Sequence, residues 1–294
     1  MISKILISLL LSLPSQAAIE AVATTTDVAW LLHRIGGAEV NVKTLAKPGD
    51  SYHFLDARPD FVLAVSRAQI LCLIGADLEM AWLPKIVERS TNQKIKSGAA
   101  GDCDLSRAVA LQKPSSPVDR SRGDVHSAGN PHFWLSPIEM ANAAGEVEKK
   151  LAQVLPAKAA DFSARKDATV KELNLLASEI KERLKPLAGK KIYEYHQDFS
   201  YYLAAYGLSS AGSIEEIPGV APSAARLGQV GIEAKKLASP LALALEHHPA
   251  STLAKFTEIS GVPVVKLPPS LENPEDPDSY ARWQRLMADR IRNL

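Results

Sequence analysis

Two sets of short β-branched runs, separated by one long helical stretch, constrain the fold of this 294-residue chain more than any other feature. The first set contains predicted strands at 19–25, 40–45, 69–74 and 94–97, and the second contains predicted strands at 191–195, 208–214, 241–246 and 262–267. Helical patterns lie between the strands, for example at 27–35 and 58–66. Strands that alternate with helices favour parallel sheets covered by helices on their faces. The sequence therefore predicts an α/β fold of two lobes, each with a roughly four-stranded parallel sheet flanked by helices.

The stretch between the two sets has the periodicity of one long amphipathic helix. Apolar residues recur there at three- and four-residue spacing, with lysine and glutamate between them: Val170, Leu173, Leu176, Ile180, Leu184 and Leu187. A helix from about residue 160 to 187 would extend roughly 40 Å at 1.5 Å per residue, long enough to link two lobes stiffly. We therefore predict an N-terminal lobe at 18–158, a rigid backbone helix at 159–187 and a C-terminal lobe at 188–294.

The first residues of the chain indicate export. Lys4 precedes an apolar run at 5–13, and Pro14 and the small-residue stretch 15–18 follow it. This order is typical of a secretory signal peptide, predicted here at 1–17, although a buried N-terminal helix or strand is an alternative. The apolar run is too short for a permanent membrane span. Because no cysteine near residue 17 offers a site for a lipid anchor, we expect a protein that is free in the periplasm.

Charge and cysteine content narrow the function further. Lysine and arginine number 34 against 33 aspartates and glutamates, so no broadly basic surface for nucleic acid is implied. Cys72 and Cys103 are the two cysteines of the chain. In an exported protein such a pair favours a disulfide over metal ligation, and the bridge would add roughly 3 kcal/mol of stability. Two buried free thiols are the alternative.

Three of the seven histidines lie where an open α/β sheet places its binding site. His53 follows the second predicted strand, His132 follows the loop after the first set of strands, and His196 ends the first strand of the second set. Ligands of such sheets bind beyond the carboxyl ends of the strands. Three imidazoles with one oxygen are also a common donor set for Zn²⁺. A single histidine would more often be structural or solvated, but these three together are candidate metal ligands.

Six segments follow one another along nearly the whole chain: PGDSYHFLDARPDF, AQILCLIGADLEMAWL, GNPHFWLSP, YEYHQDFSYYLAAYGL, IPGVAPSAARL and LALALEHHPA. In this order they resemble the metal-specific solute-binding proteins of ABC importers, in particular the zinc-uptake branch. The resemblance implies two lobes on a rigid backbone helix, with His53, His132 and His196 as metal ligands. It also favours zinc, because zinc carriers typically have histidine at the third position, where manganese carriers often have glutamate. Imidazole donors favour zinc over the harder manganese ion as well.

The chain departs from the pattern of that family around the fourth ligand. Relatives with a fourth protein ligand take it from an aspartate after the last strand, and prolines replace this acid in the stretch 267–271. The fourth position stays open between water, Glu246, His247 and His248. Glu246 could instead hold an imidazole N–H, and the two histidines could form a solvated strand end.

Two further departures lie near His132. Asn130 and Ser136 replace the two aspartates of the motif around this histidine. The long His- and Asp-rich loop of many zinc-binding members is missing, and the Pro- and Ser-containing segment 113–130 is predicted to be an exposed loop. We expect its one histidine, His126, to be solvated, while His33 on the first helix needs no functional role.

The resemblance implies a monomeric periplasmic protein without catalytic activity, which binds Zn²⁺ with high affinity and delivers it to the membrane permease of an ABC importer. A manganese-binding member of the same family is one alternative. A secreted zinc hydrolase is another, because three histidines and an open position also serve catalysis. Against a hydrolase, the sequence has no H-E-x-x-H helix, and the three histidines are spread from 53 to 196. Its candidate general base would be Glu246.

Overall fold

The computed structural model describes residues 17–113, 126–217, 219–237 and 241–293, and it contains two four-stranded parallel sheets. The first sheet, in the order β2-β1-β3-β4, consists of β1 (Ile19–Ala23), β2 (Val40–Thr44), β3 (Ile70–Leu73) and β4 (Asp102–Asp104). The second, in the order β6-β5-β7-β8, consists of β5 (Lys191–Glu194), β6 (Ser209–Ser213), β7 (Ala242–Leu245) and β8 (Val264–Leu267). The predicted α/β fold with two four-stranded parallel sheets is confirmed.

Helices cover both sheets. They are α1 (Thr26–Gly36), α2 (Pro59–Arg67), α3 (Leu83–Ser90), α4 (Pro137–Val154), α5 (Ala159–Leu184), α6 (Ser200–Ala205), α7 (Ala224–Lys236), α8 (Ala250–Ser260) and α9 (Ser279–Arg292). Their ends follow local sequence: the Thr25 and Ser136 hydroxyls accept hydrogen bonds from the first turns of α1 and α4, and Gly261 ends α8 in the left-handed conformation. Within the described ranges, no helix has both the length and the apolar character that a membrane span requires.

The predicted linking helix is α5, which has 26 residues and is about 39 Å long at 1.5 Å per residue. Its buried side includes Phe162, Leu173 and Ile180, and it packs against α1, α4 and α9. Arg183 of α5 donates to Asp289 of α9 at 2.8 Å. A short 3₁₀ turn at Lys185–Leu187 then leads toward β5. The lobe boundaries at 18–158 and 188–294 stay predictions.

The segment that follows β8 returns to the first lobe and fixes the position of the turn that contains His132. The indole N–H of Trp283 donates to the Pro268 carbonyl at 3.0 Å, and that of Trp134 donates to the Pro269 carbonyl at 3.3 Å. The Tyr280 hydroxyl donates to the Trp134 carbonyl at 2.8 Å. The two prolines that replace the expected acid therefore present backbone carbonyls to tryptophans, and this contact joins the lobes.

One predicted strand is wrong, and the disulfide explains where the strand actually lies. Residues Gln93–Ile95 form a 3₁₀ turn, and the edge strand is β4, which the sequence did not predict. Cys103 of β4 is the register partner of Cys72 in β3, their Cα atoms are 4.4 Å apart, and the predicted disulfide joins them. Because β4 is short and has aspartates on either side of its cysteine, its pairing depends on tertiary contacts that local sequence patterns do not reveal.

Candidate metal site

The three candidate histidines come from loops on both lobes and face one cleft of about 280 Å³. His53 lies in the loop between β2 and α2, His132 begins the 3₁₀ turn His132–Leu135 before α4, and His196 lies just beyond β5. His132 is 1% exposed and His196 is 8% exposed, while His53 is partly buried. The structure thus brings together residues that are up to 143 positions apart in the sequence.

The imidazole nitrogens of these histidines converge. One ring nitrogen from each residue lies within 4.8 Å of the other two, and the Nε2 atoms of His53 and His132 are 3.0 Å apart. Tetrahedral zinc with Zn–N bonds near 2.0–2.1 Å separates its nitrogen ligands by about 3.3 Å. The 3.0 Å distance between His53 and His132 is close to this value, and the three nitrogens together form a group that can hold one metal ion.

The orientation of His132 is set by Asn130. The Asn130 amide nitrogen donates to the Gln197 carbonyl at 2.9 Å, which turns the amide oxygen toward His132. That oxygen accepts from His132 Nδ1 at 2.7 Å and from the His132 backbone N–H at 2.9 Å. Since an amide oxygen only accepts, Nδ1 carries the proton and Nε2 directs a lone pair into the cleft. Asn130, which replaces an aspartate of the motif around His132, therefore orients the His132 ring through its Nδ1 atom.

Glu215 orients His196 in the same way. Its Oε2 atom accepts from His196 Nδ1 at 3.0 Å and from the Gly219 backbone N–H at 3.3 Å, and the residue is 7% exposed. A carboxylate that holds Nδ1 leaves Nε2 of the ring for a metal and strengthens it as a donor. The sequence analysis missed Glu215, although its position just beyond β6, at the same edge as His196, could have indicated it.

The protonation state of His132 suits metal binding. Burial, together with the neighbouring His196 and His53, lowers the pKa of His132 well below its usual value. Its ring is therefore neutral at neutral pH, and a metal ion need not displace a proton from it.

His126 lies beside the cluster, so the expectation that it is solvated is wrong. It is 9% exposed, and its ring centroid lies 5.2 Å from that of His53 and 5.8 Å from that of His132. The neighbouring Ser127 hydroxyl donates to Asp77 at 2.9 Å, which ties this end of the segment 113–130 to the first lobe. Residues 114–125 of that segment lie outside the described residues. The polar composition around His126 gave no sign of this tertiary contact.

The structure also separates the candidates for the fourth position. The Glu246 side chain is 47% exposed, forms a 2.6 Å ion pair with Arg290 and is not part of the cleft lining, which disfavours it as a ligand or as an imidazole partner. His247 is exposed but lines the cleft. His248 Nδ1 accepts from the Leu245 backbone N–H at 3.0 Å, so Nε2 carries the proton and neither nitrogen offers a lone pair to a metal.

Replacing Glu215 with glutamine is expected to lower zinc affinity by about 10–100-fold, because the amide holds His196 less firmly and no longer strengthens it as a donor. Competition titration with a chromophoric chelator measures the change. Glu216→Gln is the matched control, since this neighbouring acid is exposed. Equal zinc affinities for the two variants would show that Glu215 does not position His196.

Comparison with known proteins extends the observations on this site. A family model described as zinc-uptake complex component A, periplasmic, matches residues 21–294. The chain is 25% identical over 216 residues to the zinc-binding lipoprotein AdcA of Streptococcus pneumoniae serotype 4, covering 73% of this chain and 42% of AdcA. It therefore spans less than half the length of that relative.

Two further matches cover almost the whole chain. The manganese ABC transporter substrate-binding lipoprotein scaA of Streptococcus gordonii is 24% identical over 285 residues, which is 94% of this chain and 89% of scaA. A crystal structure of ZnuA superimposes with a TM-score of 0.77 at 24% identity, covering 94% of this chain and 98% of that one. This structural match shows that the two proteins share a fold.

Proposed function

The chain belongs to the family of periplasmic zinc-uptake components, and on this basis we propose that it binds Zn²⁺ with high affinity and delivers it to the permease of an ABC importer. One observation carries the proposal. Nitrogens of His53, His132 and His196 converge from two lobes, and Asn130 and Glu215 hold the Nδ1 atoms of two of these rings. Neutral, oriented imidazoles are typical zinc ligands.

Zinc is preferred to manganese in this proposal because of the donor set. Manganese lies at the weak end of the divalent series for nitrogen ligands and is better matched by carboxylate, carbonyl and water oxygens. The similarity to scaA, which is named for manganese, keeps the manganese-binding alternative open to measurement. The hydrolase alternative loses support because Glu246, its candidate base, pairs with Arg290 on the surface.

The remaining parts of the proposal concern the whole protein. We infer that the signal peptide at 1–17 directs export and that the mature protein acts in the periplasm as a monomer. The lobes at 18–158 and 188–294 would then present the bound ion at the cleft between them, on the backbone helix at 159–187. The permease is the expected partner that accepts the ion.

Titration of the chelator-stripped protein with zinc, in competition with a chromophoric chelator, tests this proposal. We expect one zinc ion per chain, bound more tightly than the chelator binds it. Failure of the protein to compete, or several weak and equivalent sites, would contradict a single high-affinity site.

A further inference from the structure

Asp198 is a buried carboxylate at the wall of the same cleft. It is 2% exposed and lies in the turn after β5, two residues beyond His196. Its backbone N–H donates to the His196 carbonyl at 2.8 Å, which fixes the turn that carries both side chains. A carboxylate in such a position needs a compensating charge, because an isolated buried anion is costly.

The contacts of Asp198 place one of its oxygens beside the metal-facing atom of His132. The Oδ1 atom lies 3.5 Å from His132 Nε2, which directs a lone pair into the cleft because Nδ1 donates to Asn130. Two ligand atoms of one tetrahedral zinc ion, with bonds of 2.0–2.2 Å, are about 3.3–3.5 Å apart. The separation between this carboxylate and His132 therefore fits two groups that share one cation.

The other oxygen of Asp198 faces His248. Among the described residues, Oδ2 has no hydrogen-bond partner, and it lies 3.8 Å from His248 Nε2. Since His248 Nδ1 accepts from the Leu245 N–H, Nε2 carries the one proton of a neutral ring, which does not neutralise the carboxylate. A divalent ion in the cleft would supply the compensating charge.

We propose that Asp198 is the fourth ligand of the bound zinc ion, with His53, His132 and His196 as the other three. This inference rests on the proposed function and names the ligand set of that same site. Asp198 would then take the place of the acid that is missing from the stretch 267–271, although it lies in a different loop. Three imidazoles and one carboxylate oxygen complete a tetrahedral zinc site and leave a net charge of +1.

Asp198→Asn tests the assignment, because it removes the charge and keeps the shape. We expect zinc affinity to fall more than 100-fold, beyond the range that follows the loss of a residue that only orients a ligand. The visible absorption of the Co²⁺-loaded variant should change, because one oxygen ligand is lost. The metal-free variant should melt at or above the temperature of the metal-free wild type, because an uncompensated buried charge has been removed. Asp56→Asn, at an exposed aspartate, is the matched control.

An unchanged Co²⁺ spectrum together with a less than 10-fold loss of zinc affinity would overturn the assignment and leave the fourth position to water, His126 or His247. His132→Ala, measured in the same series, separates this failure from failure of the proposed function. If His132→Ala weakens binding while Asp198→Asn does not, only the fourth ligand is wrong. If neither variant weakens binding, the histidine site itself is wrong.

Discussion

Replacing any one of His53, His132 and His196 with alanine is expected to reduce zinc affinity by well over the 10–100-fold that follows the loss of an orienting residue. Each substitution removes a direct metal bond and leaves two of the three converging imidazoles. For His132→Ala, the Asn130 amide oxygen also loses the hydrogen bond that it accepts from Nδ1 of the ring. Competition titration of the three variants measures the effect.

His33→Ala is the matched control for this series, because His33 lies on α1 and does not line the cleft. It should bind zinc as the wild type does. If one of the three cluster variants also retained full zinc affinity, that histidine would not be a ligand.

Zinc is expected to stabilise the fold strongly, since its ligands come from both lobes and the unfolded chain holds no such site. Binding to the native state alone adds about 4 kcal/mol to the free energy of unfolding when free zinc exceeds the Kd about 1,000-fold. Thermal melts of the chelator-stripped protein with and without zinc measure this gain. His196→Ala should lose most of the zinc-dependent shift, because it removes the imidazole ligand that the second lobe contributes.

His33→Ala is the control variant, and zinc should raise its melting temperature as much as it raises that of the wild type. A wild-type protein whose melting temperature did not respond to zinc would contradict tight binding to the folded state. A full shift in His196→Ala would show that His196 is not a ligand of the zinc ion.

Most of the fold could be predicted because its elements have strong local patterns. The apolar spacing that ends in Leu184 identifies α5, and seven of the eight predicted strands overlap observed ones. The failure at 94–97 has a physical cause: β4 pairs through Cys103 with Cys72, and its short polar sequence carries no strand pattern of its own. The disulfide itself was predictable from export and from the presence of two cysteines.

The site was predictable where each residue directly follows a strand or lies in a recognisable motif. His53, His132 and His196 meet this condition, and the structure brings them together. Glu246 also follows a strand, but its side chain points to Arg290 on the outside, and the sequence does not show on which side of the sheet edge such a residue lies.

The residues that complete the surroundings of the histidines could not be predicted in the same way. Asp198 and Glu215 lie just beyond strands, as the histidines do, but the sequence does not show that these two acids face histidines of other loops, or that His126 packs on the cluster from a polar segment. These contacts depend on the tertiary arrangement of loops, for which a single sequence carries no periodic signal.

Metal analysis of the chelator-stripped protein, after dialysis against equal concentrations of zinc and manganese, tests the central claim most directly. Three neutral imidazoles discriminate against manganese, so the account predicts one zinc ion per chain and almost no manganese. A variant in which His53, His132 and His196 are all alanine should retain neither metal. Equal or greater occupancy by manganese in the wild type would contradict the assignment of this protein as a zinc carrier.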